Sequence, residues 1–224
     1  MSDSAVTVVT SVVSALTTLL AAFAGAWFAF ELANRDRVRD LTNARVAAGN
    51  RAIFILMRHF NTLHNLKTQV IDPKRADPLR LLNMRALPQL DDSVHVDLDA
   101  LTFLLETEHR EILGELMVED ERFRSAIQTL NERSKLHRET IQPILREAGV
   151  REQTDTTPAA VESMLGHLVY VQLQRATDQA ITHVDLTLIS TRAMAEQLRA
   201  VFLKVYPKRT FIRFAPKDEL PEDA

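Results

Sequence analysis

The amino-acid sequence predicts an all-α protein in which an N-terminal transmembrane helix continues into a cytoplasmic antiparallel bundle of long helices. Three observations favour this fold class. Residues 4–30 carry no charge, the 224 residues include only 5 Gly and 8 Pro, and apolar residues recur at three- and four-residue steps along most of the remaining chain. We expect a transmembrane helix over residues 1–33, a helical bundle over residues 34–206, and a basic and aromatic, then acidic, tail over residues 207–224.

The uncharged run is long enough to cross a bilayer, because a helix needs about 20 apolar residues to span the hydrocarbon core. Trp27, Phe28 and Phe30 gather at its C-terminal end, as aromatic residues do at membrane interfaces. A cleaved signal peptide is disfavoured, since Asp3 precedes the run and no basic residue does. A buried helix of a soluble protein is the other alternative. A membrane span is the interpretation that fits these features best.

Charges that flank the run predict its orientation. Only Asp3 lies before it, whereas a series of arginines follows: Arg35, Arg37, Arg39 and Arg45. Positive residues stay on the cytoplasmic side, so we expect a single-pass inner (plasma) membrane protein with its N-terminus outside and its C-terminal domain in the cytoplasm. The same arginines are candidates for contact with anionic lipid headgroups. Arg greatly outnumbers Lys and Cys is absent, a composition typical of bacterial proteins.

Small and hydroxyl-bearing side chains occupy one face of the predicted span. On a helical wheel of 100° per residue they fall within one arc of about 80°, opposite most of the bulky residues. In lipid, small residues let helices approach closely, and hydroxyls can bond across the contact. We therefore predict a homo-oligomer; hydroxyls that bond only to their own backbone, or that line a pore, are the alternatives. The face comprises Thr7, Ser11, Ser14, Thr18, Ala22, Gly25 and Ala29.

Apolar periodicity without proline extends the helix to about Val70. Gly49 and Asn50 are its weakest point, where a hinge is expected. His59 lies on the apolar stripe and is interpreted as a packed histidine rather than a ligand.

Three prolines then interrupt the pattern and predict a long connection over about residues 71–96, with a short helical turn at Leu79–Arg85. Such a connection either covers the end of the bundle or presents an edge to a partner.

Helical periodicity resumes after Asp97, a predicted N-cap, and ends at Gly149 with a break near Thr107. Thr157, followed by Pro158, marks the start of a last helix that is expected to continue to Tyr206, for about 48 residues or 72 Å. Long helices joined by short breaks favour an antiparallel bundle or a coiled-coil-like stalk.

The stretch "FLKVYPKRTFIRFAPK" interleaves aromatic and basic residues. One interpretation is a docking segment for lipid headgroups or an acidic protein. The other is a tail whose aromatic residues cap the bundle. The candidate docking residues are Tyr206, Lys208, Arg209, Phe211, Arg213 and Phe214.

No motif for catalysis or for nucleotide binding occurs, and Glu106–His109 is the single Glu-x-x-His spacing, so we expect no catalytic, cofactor or metal site. The charge run at 119–123 is interpreted as a solvated helix face, and Arg133 and Arg175 as candidates for buried ion pairs.

A net charge of −3 gives no support for nucleic-acid binding. The predicted function is a non-enzymatic, self-associating scaffold or signalling component. Its expected partners are the lipid bilayer, further copies of the chain and an unidentified cytoplasmic protein. A membrane-perturbing effector, which forms a pore or depolarises the membrane under control of the cytoplasmic domain, is the alternative.

Overall fold

The computed structural model describes residues 3–149 and 157–214, with side chains from residue 16 onward. No β-strand occurs in these ranges, so the all-α class is confirmed. Two short π-helical and two 3₁₀ segments lie between the α-helices, at Lys67–Ile71, Asp72–Lys74, Asp99–Glu106 and His137–Ile141. The α-helices are α1 (Asp3–Leu66), α2 (Arg80–Asn83), α3 (Ile112–Leu136), α4 (Gln142–Glu147), α5 (Pro158–Leu165) and α6 (His167–Val205).

The chain divides into two compact units, Met1–Arg45 and Val46–Ala224. Within the described residues, the first unit contains α1 alone. The second contains the remainder of α1 and every other helix, and it holds three clusters of buried apolar side chains.

Packing between α3 and α6 shows the relative direction of the long helices in the second unit. Leu116 near the start of α3 shares a buried cluster with Leu198 near the end of α6. Ile127, further along α3, shares the next cluster with Val184. The two helices therefore run antiparallel, with apolar stripes that repeat every three or four residues facing each other.

Residues 46–66 of α1 pack on the same two clusters, Leu56 in the first and Leu63 in the second. This order makes α1 parallel to α3 and antiparallel to α6. Gly49 lies where the ring of Phe202 approaches, and a Cβ there would come within 2.9 Å of that ring. The expected hinge at Gly49 and Asn50 is wrong: both residues are helical, and the glycine permits close packing instead.

The fourth position of the bundle is taken by extended chain, residues 84–97, which we call the strap. Its side chains Met84, Leu87 and Val96 are buried. The strap begins beside Arg133 and later reaches Asp120, so it runs antiparallel to α3. The proline-rich connection predicted from the sequence does break the helical pattern. The short helical turn predicted within it corresponds to α2. The connection lies along the bundle, however, rather than over its end.

Local signals place several helix boundaries where the sequence predicts them. The Asp97 side chain accepts a hydrogen bond from the Ala100 amide at 3.1 Å, and Thr157 caps α5 by accepting from Ala160 at 3.3 Å. The single helix expected from Pro158 to Tyr206 is wrong, because Gly166 adopts φ = +77° and separates α5 from α6. Glycine reaches this conformation without the steric penalty of a Cβ.

Candidate functional site

Large apolar side chains of α1 are exposed throughout residues 16–32. Each exposes 57–72% of its surface, and none packs into a buried cluster. Soluble monomers rarely expose a contiguous apolar patch of this extent. Among the described residues, α1 is the one helix long and apolar enough to cross a membrane, and its apolar window has no buried part, unlike the core helix of a soluble protein. The exposed side chains are Leu16, Leu19, Leu20, Phe23, Trp27, Phe28, Phe30 and Leu32.

Part of the small-residue face can be followed in the structure. Thr18, Ala22, Gly25 and Ala29 are all exposed. Apart from its chain neighbours and the backbone of its own helix, no described atom lies within 4 Å of a Cβ placed on Gly25. The side chains of Thr7, Ser11 and Ser14 lie outside the described part. Association through this face stays a prediction.

The arginines that follow the apolar segment are accompanied by acidic residues. Arg35 pairs with Glu31 at 2.8 Å, and Arg39 lies 3.6 Å from Asp36. Such exposed pairs along one helix contribute only about 0.3–0.5 kcal/mol each. Arg37 is exposed and Arg45 is half-buried. The basic character used to predict orientation therefore lies on an accessible surface.

The candidate docking tail separates into buried aromatics and exposed cations. Phe211 stacks on Phe202 with ring centroids 5.1 Å apart, and Phe214 meets Phe60 edge-on at 4.9 Å. Tyr206 is half-buried beside Phe103. Phe211 and Phe214 therefore cap the core, as one of the two interpretations of the tail predicts. Their assignment as docking residues is wrong, because aromatic burial fixes them inside the second unit.

Lys208, Arg209 and Arg213 point away from this core and are exposed. The segment is held in place by the Asn50 side chain, which accepts a hydrogen bond from the Ile212 amide at 2.9 Å. No ion pair links these three cations to a carboxylate within the described ranges. They form an exposed basic surface on a fixed backbone.

Arg133 is fully buried, as the sequence allows, but it does not form the predicted ion pair. Its guanidinium donates to the carbonyls of Leu81 at 3.0 Å, Arg85 at 3.1 Å and Met84, while Nε approaches Thr177 Oγ1 at 3.4 Å. Burial lowers the pKa of Arg133 to about 10, so the group remains charged at neutral pH. Backbone carbonyls thus take the place of water around a buried charge.

Arg175, the other candidate for a buried pair, is exposed and lines a surface groove of about 520 Å³ on α6 with His167 and Leu168. The prediction of a buried ion pair there is wrong. Helical spacing could not separate the two arginines, because burial depends on which elements lie opposite each position.

The strap is attached to the helices by further polar side chains. Ser134 accepts from the Leu87 amide at 3.1 Å, and Asp120 accepts from the Val96 amide at 3.2 Å. Asn131 accepts from the Leu90 amide at 2.9 Å and donates to the Leu90 carbonyl at 3.0 Å. Extended chain that pairs with no strand needs such partners, since unpaired buried amides and carbonyls are costly.

Buried histidines contact carbonyls near both ends of this segment. His59 is packed, as the sequence predicts: its Nε2 lies 2.8 Å from the Val94 carbonyl, and its ring stacks on Phe123 at 3.7 Å. His137 Nε2 lies 3.2 Å from the Leu82 carbonyl. Burial lowers the pKa of both imidazoles. Nothing in the periodicity of α3 singled out His137, because its partner carbonyl is distant in sequence.

Residues 119–123, expected to form a solvated face, are divided: Glu121 and Arg122 are exposed, whereas Glu119 and Asp120 are buried. Glu119 accepts hydrogen bonds from Thr191 at 2.6 Å, Ser190 at 2.9 Å and Arg122 at 3.2 Å. The prediction is wrong at Glu119, because hydroxyls of α6 satisfy this carboxylate inside the bundle.

Open surface remains elsewhere on the second unit. A groove of about 560 Å³ between α3 and α6 is lined by Val118, Leu186 and His183 among other residues. Within the described ranges, no group of three or more His, Cys, Asp or Glu residues is arranged to hold a metal ion.

Comparisons of the chain with models of known protein families, with characterised proteins and with solved structures find no match.

Proposed function

We propose that this chain is a single-pass inner-membrane protein, with its N-terminus outside and its helical bundle in the cytoplasm, that acts as a self-associating scaffold or signalling component. The observation that carries the proposal is the exposed apolar segment between Leu16 and Leu32, followed by a unit that buries its own core. Burying each such side chain in hydrocarbon is favourable by about 1.5–3 kcal/mol. A bilayer supplies that environment on all sides of the helix.

Orientation is supported by the exposed arginines that follow the segment. Arg35, Arg37 and Arg39 lie within a few residues of its C-terminal end. The rule for orientation counts basic residues, so the neighbouring Glu31 and Asp36 do not cancel it.

Self-association is supported by the open face at Thr18, Ala22, Gly25 and Ala29. Small side chains allow a second helix to approach closely, and such close packing, with hydroxyl hydrogen bonds, drives association in lipid, where the hydrophobic effect gives no preference. Gathering several bundles on one patch of membrane raises their effective concentration for a cytoplasmic protein partner.

The basic surface of the tail supports contact with the bilayer as well. Three cations of the tail are exposed and form no ion pair with a carboxylate of the described residues: Lys208, Arg209 and Arg213. Each cation near an anionic leaflet contributes about 1 kcal/mol to membrane binding. Because Phe211 and Phe214 are buried, this contact is electrostatic and is weakened by salt.

Reporter fusions test the orientation. A periplasm-active phosphatase fused after Ala224 should be inactive in cells, whereas a cytoplasm-active fluorescent protein at the same position should be bright. Replacing Arg35, Arg37 and Arg39 by Glu in the same fusions should raise phosphatase activity. An active phosphatase on the unaltered chain would contradict the proposal.

Cross-linking in membranes tests self-association. Gly25→Leu should reduce the cross-linked oligomer, while Leu20→Val on the opposite face is the matched control and should leave it unchanged. A separate experiment tests the alternative function. The chain reconstituted in liposomes should not release an enclosed dye. Dye release that is lost when Ser14 and Thr18 are replaced would favour the membrane-perturbing effector instead.

A further inference from the structure

Basic side chains hold backbone carbonyls at the start of the strap, whereas Ser134 and Asn131 accept from its amides at Leu87 and Leu90. Three basic side chains lie at the end of α3 or just after it: Arg133, His137 and Arg138. They contact backbone carbonyls at the start of the strap and just before it. The accepting residues are Leu81, Leu82, Met84, Arg85 and Leu87. We call this contact the root of the strap. None of the three side chains forms an ion pair with a carboxylate of the described residues.

Hydrogen bonding fixes the neutral form of His137. Its Nε2 faces the Leu82 carbonyl at 3.2 Å, so this nitrogen carries the proton and donates. The other ring nitrogen, Nδ1, is buried and bonds to no described atom. In the neutral tautomer Nδ1 needs no acceptor, but a proton added there would have no partner.

The charges around His137 oppose a second proton. Arg133 and Arg138 flank it on its own helix, and both lower its pKa in addition to the larger effect of burial. From α2, the nearest group is the Leu82 carbonyl. Arg80 of the same helix is already paired with Asp178 of α6 at 2.9 Å. The carbonyl is the single contact that favours the charged ring.

We propose that the root of the strap is an acid-released latch, in which protonation of His137 places a third positive charge beside Arg133 and Arg138 and frees residues 84–90 from α3. The buried side chains Met84 and Leu87, together with the core surface beneath them, then become accessible. The helices remain packed through the cluster that contains Leu116 and Leu198, which lies outside the root.

The far end of the strap responds less, because His59, whose pKa is also lowered by burial, has a counter-charge. Asp120 of α3 favours protonation of His59, whereas His95 of the strap and Arg58 of its own helix oppose it. Stacking on Phe123 at 3.7 Å also accommodates a cation. The latch therefore opens from the root, while Val94 and Val96 stay attached.

Linkage gives the sign and size of the effect. A histidine whose pKa is lowered in the closed state takes up its proton more readily when open, so the closed state is favoured above the ordinary pKa and loses stability as pH falls below it. At pH 5.5, about one unit below the ordinary pKa of 6.5, opening should be favoured by up to about 10-fold, which is the limit for a histidine that stays neutral when closed.

Hydrogen exchange of the full chain in lipid nanodiscs tests the latch. The Leu87 and Leu90 amides are bonded to Ser134 and Asn131 and report the root. After correction for the intrinsic pH dependence of exchange, their opening should increase by up to about 10-fold between pH 7.5 and 5.5. The amide of Val96, bonded to Asp120, should change much less.

Variants isolate the trigger. His137→Gln keeps a donor for the Leu82 carbonyl but cannot titrate, and it should abolish the pH response of Leu87 and Leu90. His59→Gln and the exposed control His167→Gln should leave that response intact. An equal response in wild type and His137→Gln, or equal loosening of amides throughout α3 and α6, would overturn the proposal. So would an NMR titration of the unaltered chain in which His137 has a pKa of 6.5 or above, a measurement that needs no variant.

Discussion

In the first half of α1, large apolar side chains from Leu16 to Leu32 expose 57–72% of their surface, whereas Ile53, Leu56 and Leu63 in the second half expose none. The two halves also differ on the side opposite their bulky residues. The second half carries exposed Arg51 and Arg58 there, whereas residues 16–30 of the first half carry no charge on any side. A one-sided stripe fits a helix with protein on one face, and a broad apolar surface fits a helix in apolar surroundings. The pattern around the helix, more than its mean apolarity, distinguishes the two environments.

Replacing a leucine by alanine should change the free energy of unfolding very differently in the two halves of α1, and this is the largest difference that we expect. Leu56→Ala removes a fully buried side chain and should lower the free energy of unfolding of the second unit by about 2–5 kcal/mol. Leu20→Ala, in the exposed segment, should leave it unchanged. Denaturant unfolding of the full chain in detergent micelles, followed by circular dichroism, measures both. Equal losses for the two variants would show that the halves do not have separate environments.

A charge placed in the exposed segment should affect membrane insertion. Leu20→Arg should disfavour insertion by about 2.5–3.5 kcal/mol, since arginine at the centre of a span is costly. Leu168→Arg, at an exposed leucine of α6, is the matched control and should have no such effect. Carbonate extraction of membranes measures the fraction retained. Full retention of the Leu20→Arg protein would argue against a membrane span.

Replacing a glycine by alanine should change stability in opposite directions in the two halves of α1. Gly49→Ala places a Cβ 2.9 Å from the Phe202 ring and should destabilise the second unit by about 1–3 kcal/mol through overpacking. Gly25→Ala meets no described atom within 4 Å and should stabilise the helix by up to about 1 kcal/mol through propensity alone. Thermal unfolding and helix content measure the two effects. A neutral Gly49→Ala would mean that Phe202 moves aside at little cost.

The sequence was sufficient for features that depend on neighbouring residues. Asp97 and Thr157 cap helices because each needs only an amide three residues ahead, and the prolines after Val70 end the regular pattern locally. It was insufficient where distant elements decide the outcome. Gly49 looked like a hinge because nothing nearby reveals Phe202, and residues 119–123 looked solvated because the hydroxyls of α6 come from far along the chain.

The candidate functional residues show the same distinction between features set by neighbouring residues and features set by distant ones. Exposed apolar residues of α1 were recognisable from composition, since no partner is needed to describe them. The sequence offered a capping role for Phe211 and Phe214 but did not identify their partners Phe202 and Phe60, which precede them by different distances and on different helices. The buried side chains at the root depend on carbonyls about 50 residues away, which no helical spacing encodes.

The smallest effect is expected at the end of the buried half of α1, where Asp185 of α6 accepts two hydrogen bonds from Arg75, at 2.8 and 3.0 Å, and pairs with Lys67. Partial burial acts to raise the pKa of Asp185, but the bonds from Arg75 and Lys67 prevail and lower it below 3.8. A lowered carboxyl pKa stabilises the fold above the ordinary value, and that contribution is lost as pH falls through the pKa of the folded state.

Asp185→Asn should therefore cost about 1 kcal/mol at pH 7, a modest value because the pair is partly exposed to solvent. The difference from wild type should shrink as pH falls below about 3.8, where the unfolded carboxyl is already protonated and the native pair is lost. Asp36→Asn, which removes a more exposed partner of Arg39 in the first half, is the matched control and should cost less at every pH. Urea unfolding of the two variants between pH 3 and 7 measures this. A cost at Asp185 that stays constant across the range would assign its role to packing rather than to charge.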